Sequence, residues 1–126
     1  MAQVARALPQ SRMVDLDGPV HVADFGGDGP AIVLIHGLGG SYVNWLSLGP
    51  SLARSARVVA IDLVAFGRTP PQGRSSSVGA NTDLLGRFIE QEVQGPAELL
   101  RQADEHLSAA KKTGRDKVVA RDAVLP

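Results

Sequence analysis

The stretch Ala31-Ile32-Val33-Leu34-Ile35-His36-Gly37-Leu38-Gly39-Gly40-Ser41 decides how the rest of the chain is read. Five apolar residues follow one another without polar alternation. That pattern predicts a strand covered on both faces, as in a parallel sheet. The run enters a glycine-rich turn, the kind of segment that lets a strand reverse sharply into a helix.

Outward from this strand, each flank has its own punctuation. Upstream, Met13 to Leu16 and Val20 to Phe25 read as two short strands around Asp17-Gly18-Pro19, and residues 26–30 form a second turn. Downstream, Trp45 to Ala56 is predicted as a helix around Pro50, and Arg57 to Leu63 as a second buried strand. A polar loop follows from Pro70 to Ser77. Leu84, Leu85, Phe88, Ile89 and Val93 then recur at helical spacing, predicting an amphipathic helix from Val78 to Val93. After Gly95-Pro96, the apolar positions Leu99, Leu100, Ala103, Leu107 and Ala110 predict another helix, with Pro96 suited to its first turn and Lys111 and Lys112 to its C-terminal end. Lys117 to Arg121 reads as a last strand. The expected fold is α/β: a single small domain with a mixed sheet of about five strands and three to four helices.

Composition narrows the function classes. The 126 residues are 44% hydrophobic, which allows one ordinary core, and 13 basic residues balance 13 acidic ones. That neutrality lacks the surplus of Lys and Arg that marks nucleic-acid or anionic-membrane binders, so neither partner is expected. With no cysteine, disulfides, thiolate nucleophiles and Cys-based metal sites are excluded. The three histidines show no ligand spacing, so no metal and no cofactor is expected. Residues 1–18 hold Arg6, Arg12, Asp15 and Asp17 and no secretory apolar stretch. No run approaches the ~18 apolar residues of a spanning helix, so a cytoplasmic location is expected.

Residues 20–93 resemble the front of an α/β-hydrolase-fold domain. His36-Gly37-Leu38-Gly39-Gly40 is similar to that family's H-G-x-x-G oxyanion motif, and Trp45 follows it. Asp62-Leu63-Val64-Ala65-Phe66-Gly67-Arg68-Thr69 is similar to its D-x-x-G-x-G-x-[ST] turn, with Ala65 where the family usually has Gly. If that position takes a positive φ, Ala65 carries about 1 kcal/mol of strain. The family continues into a strand and a G-x-S-x-G turn that exposes the nucleophile. This sequence contains neither that pattern nor its Asp or Cys versions.

Residues 97–119 instead resemble the last helix and strand of diguanylate-cyclase (GGDEF) domains, through Glu98-Leu99-Leu100-Arg101-Gln102-Ala103-Asp104-Glu105, Leu107, Ala109-Ala110-Lys111-Lys112, Gly114-Arg115 and Val118-Val119. The signature loop and acidic residues of that family are missing, so the resemblance implies no cyclase chemistry. The chain thus reads as chimera-like. Residues 1–94 form a truncated hydrolase-like front end, and residues 95–126 a helix and strand that complete the same domain.

The candidate site is therefore a vestigial oxyanion-type turn formed by His36, Gly37, Leu38, Gly39 and Gly40, with no catalytic residue assigned. A donor hole stabilises charge that a nucleophile generates, and none is placed beside this one. His36 is expected to be structural, and His21 and His106 to face solvent. Asp62 is expected to bond the turn that follows it, and to act as a catalytic acid only with a histidine close by. A replacement triad drawn from Ser41 or Ser75 to Ser77, His36 or His106, and Asp62 or Asp83 can be written, but nothing in the sequence imposes that meeting. The expected role is a non-enzymatic interaction or regulatory protein, or a recombined fragment, that binds another protein. The alternative is a weak ester hydrolase with a displaced nucleophile.

Overall fold

The computed structural model describes residues 8–93, 95–102 and 118–123, the side chains of 102 and 118–123 excepted. Among these residues six strands form one mixed sheet: β1 (Gln10–Asp15), β2 (Pro19–Gly26), β3 (Ala31–Ile35), β4 (Arg57–Ile61), β5 (Ala97–Gln102) and β6 (Val118–Ala123). Their order across the sheet is β1-β2-β4-β3-β5-β6. β1 and β2 make an antiparallel hairpin through Asp17 and Gly18, at φ 59° and 127°, and β2 runs antiparallel to β4. From β4 onward every pairing is parallel. The α/β class and the hairpin-then-parallel arrangement follow the expectation; the strand count exceeds it by one.

The extra strand is the main correction. Residues 97–102 form β5, where a helix was expected, and the remainder of that expected helix, including His106, lies outside the described residues. Ala, Glu, Leu, Arg and Gln are good helix formers, but their local preference is a few tenths of a kcal/mol per residue. Against it stands the open edge of β3, a row of unpaired N–H and C=O groups. β5 takes that edge in register, Ala31 opposite Ala97 through Ile35 opposite Arg101. β6 then pairs with β5, not with β3. The helix expected from Trp45 to Ala56 is also shorter: a 3₁₀ turn (Tyr42–Trp45) capped by Ser41, then α1 (Leu48–Leu52).

The sheet buries both faces. α2 (Val78–Glu92) turns Leu84, Leu85, Phe88 and Ile89 into a cluster with Val22, Val33, Ile35, Val59 and Leu99. On the other face Trp45 packs with Ala23, Leu34, Val58 and Ala60. The loop of residues 70–77 is largely exposed, as expected, yet it is tied down. The Arg74 guanidinium donates to the carbonyls of Pro19 and Pro70, both at 2.7 Å. Among the described residues no helix is long and apolar enough to cross a membrane.

Candidate functional site

The carboxyl ends of β3 and β4 deliver two turns side by side, which is where open α/β sheets place ligands. After β3, the Gly40 N–H donates to Gly37 O at 2.9 Å, and Gly39 sits at φ 80°, a region an L-residue enters only at a cost. Leu38 projects outward, 63% exposed. His36 lies beneath the turn, buried. Its Nδ1–H donates to Gly37 O at 2.8 Å, and its Nε2 accepts from the Leu63 N–H at 3.0 Å. Burial pushes the His36 pKa below its ordinary value, outweighing Gly37 O and Asp62, which pull it upward. A neutral imidazole is what this pair of bonds requires. His36 therefore bridges the two turns through its two ring nitrogens.

After β4, the turn is organised by Asp62, which is fully buried. Its Oδ1 accepts from the Tyr42 N–H, and its Oδ2 from the Arg68 N–H at 3.0 Å. The Val64 N–H donates to Asn81 Oδ1 at 2.9 Å, which ties the turn to α2. Ala65 stands at φ 74°, the positive value that the motif reading anticipated. Gly67 at φ 53° has no room for a side chain, because an added Cβ would run into the Asp62 carboxylate.

None of the serines considered beside the oxyanion-type turn meets a histidine. Ser41 caps the 3₁₀ turn by accepting from the Val43 N–H. Ser77 caps α2 through the Ala80 N–H, Ser75 accepts from the Ser77 N–H, and Ser76 contributes its carbonyl oxygen to Asn81. Asp83 is exposed on α2. The cavity among His36, Leu38, Leu63, Phe66, Ser76 and Val78 measures about 30 Å³, room for one water, whereas small-molecule sites run to several hundred. A larger cavity of about 290 Å³ lies at the opposite ends of β3 and β4, beside Ala31 and Arg57.

A histidine does sit against Asp62, but it is His21. Expected on the surface, it is 1% exposed. His21 Nδ1 lies 2.9 Å from Asp62 Oδ2, and His21 Nε2 lies 2.9 Å from Ser11 Oγ. Both edges of β2 are paired, and both of its faces are covered, Val20 and Val22 by the cluster under α2 and Ala23 by the cluster around Trp45, so Val20, His21, Val22 and Ala23 are all buried. The available signal was this lack of alternation around His21, together with a lone acid at the end of a neighbouring strand.

Parallel strands behind a hairpin, with a glycine turn and an acid-anchored turn at their carboxyl ends, define the front of a hydrolase-type α/β sheet. Residues 30–120 match the family model described as alpha/beta hydrolase fold, and the chain belongs to that family. The match runs through residues 94–97 and onward past β5. Among curated proteins, the chain is 32% identical over 81 residues to the dihydrolipoyllysine-residue acetyltransferase component of the acetoin cleaving system of Cupriavidus necator, covering 64% of this chain and 22% of that protein. Among solved structures, a membrane phospholipase A described as a bacterial virulence factor aligns with TM-score 0.77 and 27% identity, over 87% of this chain and 37% of that one. A loop variant of haloalkane dehalogenase DbeA from Bradyrhizobium elkanii shares the fold, with TM-score 0.78 at 22% identity over 92% and 40% of the two chains. The chain thus spans 22% of the length of that curated relative and 37–40% of these structural ones.

Proposed function

We propose that this chain is a non-hydrolytic α/β-hydrolase front end that acts in the cytoplasm by binding another protein. One observation carries the reading: the oxyanion-type turn faces a cavity of only about 30 Å³, and the hydroxyls of Ser41, Ser75 and Ser77 accept from backbone N–H groups. A donor hole accelerates acyl transfer only when a nucleophile and a bound carbonyl reach it. The named function of the Cupriavidus necator relative, an acetyltransferase component of a larger system, favours a partner drawn from acyl-transfer assemblies. We read residues 97–119 as sequence of GGDEF-like ancestry joined to this front end; of these, residues 97–102 form the strand beside β3.

Two measurements test this reading. The purified chain hydrolyses p-nitrophenyl acetate in the steady state no faster than a small protein with a matched number of surface histidines. Immobilised on beads, it retains one protein from cytosolic extract at stoichiometric yield, and Leu38→Asp lowers that yield. Saturable turnover, or retention of nothing above a Leu38→Asp control, overturns it.

A further inference from the structure

We propose that Ser11 is an activated nucleophile, a site of stoichiometric acylation by activated acyl donors. Ser11, His21 and Asp62 form a hydrogen-bonded series outside the oxyanion-type turn. The inference stands apart from the binding role proposed above, and its test fails by a different readout.

The geometry assigns each proton. Asp62 receives two backbone N–H groups as well as His21 Nδ1, and an ionised carboxylate can only accept. Nδ1 therefore carries the hydrogen, and Nε2 presents its lone pair to Ser11 Oγ, 2.9 Å away. Arg68 donates to the same oxygen from Nη1 at 3.2 Å. Because Nε2 is a hydrogen-free acceptor and Arg68 can only donate, the Oγ–H is directed at Nε2 while an Oγ lone pair accepts from Arg68. A hydroxyl, a base within hydrogen-bond reach, and a third group fixing the base are the elements of an activated serine.

The sequence folds into this arrangement for simple reasons. In the β1–β2 hairpin Ser11 pairs with Ala23 and Met13 with His21, which makes Ser11 and His21 diagonal neighbours on one face. The His21 and Tyr42 rings pack edge to face with centroids 4.9 Å apart, and Arg68 lies over that same Tyr42 ring at 5.3 Å. The base is buried and oriented while Ser11 is exposed, so an acyl donor can reach Oγ from solvent.

In the step itself, Oγ attacks the carbonyl carbon of an activated aryl ester and the Oγ–H proton passes to His21 Nε2. The carbon–oxygen bond to the leaving group breaks and the phenolate departs, taking the proton from Nε2 or from water. Asp62 stabilises the transient imidazolium, and the Arg68 guanidinium, 3.2 Å from Oγ, stands beside the developing oxyanion. The product is an ordinary alkyl ester of serine. It is far less electrophilic than the donor, so water removes it slowly and the reaction halts after one acyl group per chain.

The test treats the full chain with a fluorophosphonate probe and, separately, with p-nitrophenyl acetate, followed by intact-mass and peptide mass spectrometry. One adduct per chain is expected, on the tryptic peptide of residues 7–12 that contains Ser11. Ser11→Ala abolishes it, His21→Gln slows it by about a hundredfold or more, and Ser47→Ala changes nothing. If His21→Gln fails to fold by circular dichroism, the Ser11 result and the mapped site decide alone. No adduct, an adduct spread over several serines, or labelling unchanged in Ser11→Ala overturns the proposal.

Discussion

His21 Nδ1 and Asp62 Oδ2 meet at 2.9 Å with side chains 2% and 0% exposed, a buried polar pair joining the hairpin to the end of β4. Removing one partner strands the other away from water. His21→Ala is expected to cost about 3 kcal/mol or more in urea unfolding. Ser11→Ala, at an exposed position, is expected to stay within about 1 kcal/mol of the parent. A His21→Ala protein as stable as the parent would mean the pair contributes nothing to the fold.

Ala65 and Gly67 make opposite predictions two residues apart. Ala65 holds φ 74° on the surface, so Ala65→Gly relieves left-handed strain and raises stability by about 1 kcal/mol. Gly67→Ala adds a Cβ where the Asp62 carboxylate already sits, and should lower the melting temperature. Equal melting temperatures for the two variants would contradict the assigned backbone.

Stability should fall as solutions are acidified, in two stages. The pKa of His36 is depressed in the folded chain, chiefly by burial, from an ordinary value of 6.5. The unfolded chain therefore binds a proton that the folded chain refuses. The contribution is complete above pH 6.5 and is lost as pH drops toward the folded value. Asp24 and Glu92 are also depressed: at Asp24 burial pushes upward but Arg57, the Gly26 N–H and Arg12 together outweigh it, and at Glu92 the bonds from Arg12 and Gln91 dominate. Their contributions are present above about pH 4 and lost below it. Urea midpoints measured from pH 8 to 3 should show both losses, and His36→Gln should flatten the first. A midpoint that rises between pH 7 and 5 would refute this assignment.

β5 should be indispensable. Leu99 is fully buried in the cluster that α2 covers, and Leu99→Ala is expected to cost about 3 kcal/mol. Truncation after Pro96 removes β5 and β6 and leaves β3 as an apolar edge, so that protein should aggregate. A monomeric truncated chain with a cooperative melt near that of the full chain would show that β5 is an appendage.

Legibility differed by segment for physical reasons. β3, β4 and α2 were readable because unbroken apolar runs and a 3.6-residue period are local signals, and Ala65 because one position in a motif demanded glycine. β5 was misread because Glu98, Leu99, Leu100, Arg101 and Gln102 favour a helix locally, while the open edge that recruits them is set by β3, more than sixty residues earlier. His21 was placed on the surface because its burial depends on β4 arriving from beyond residue 56, and its bond to Asp62 spans 41 positions. The turn after β3 was legible from its glycines, one of which, Gly39, takes a positive φ. The size of its cavity was not, since Phe66 and Val78 close it from distant segments.

The central claim is that the glycine turn after β3 binds but does not turn over. Steady-state hydrolysis of p-nitrophenyl acetate, followed past any initial single-equivalent burst, measures that most directly. The expected rate is linear in substrate and no faster than that of the matched histidine control, and Ser41→Ala and Ser76→Ala leave it unchanged. A saturable multiple-turnover rate abolished by either substitution would contradict the claim and make the chain a hydrolase in its own right.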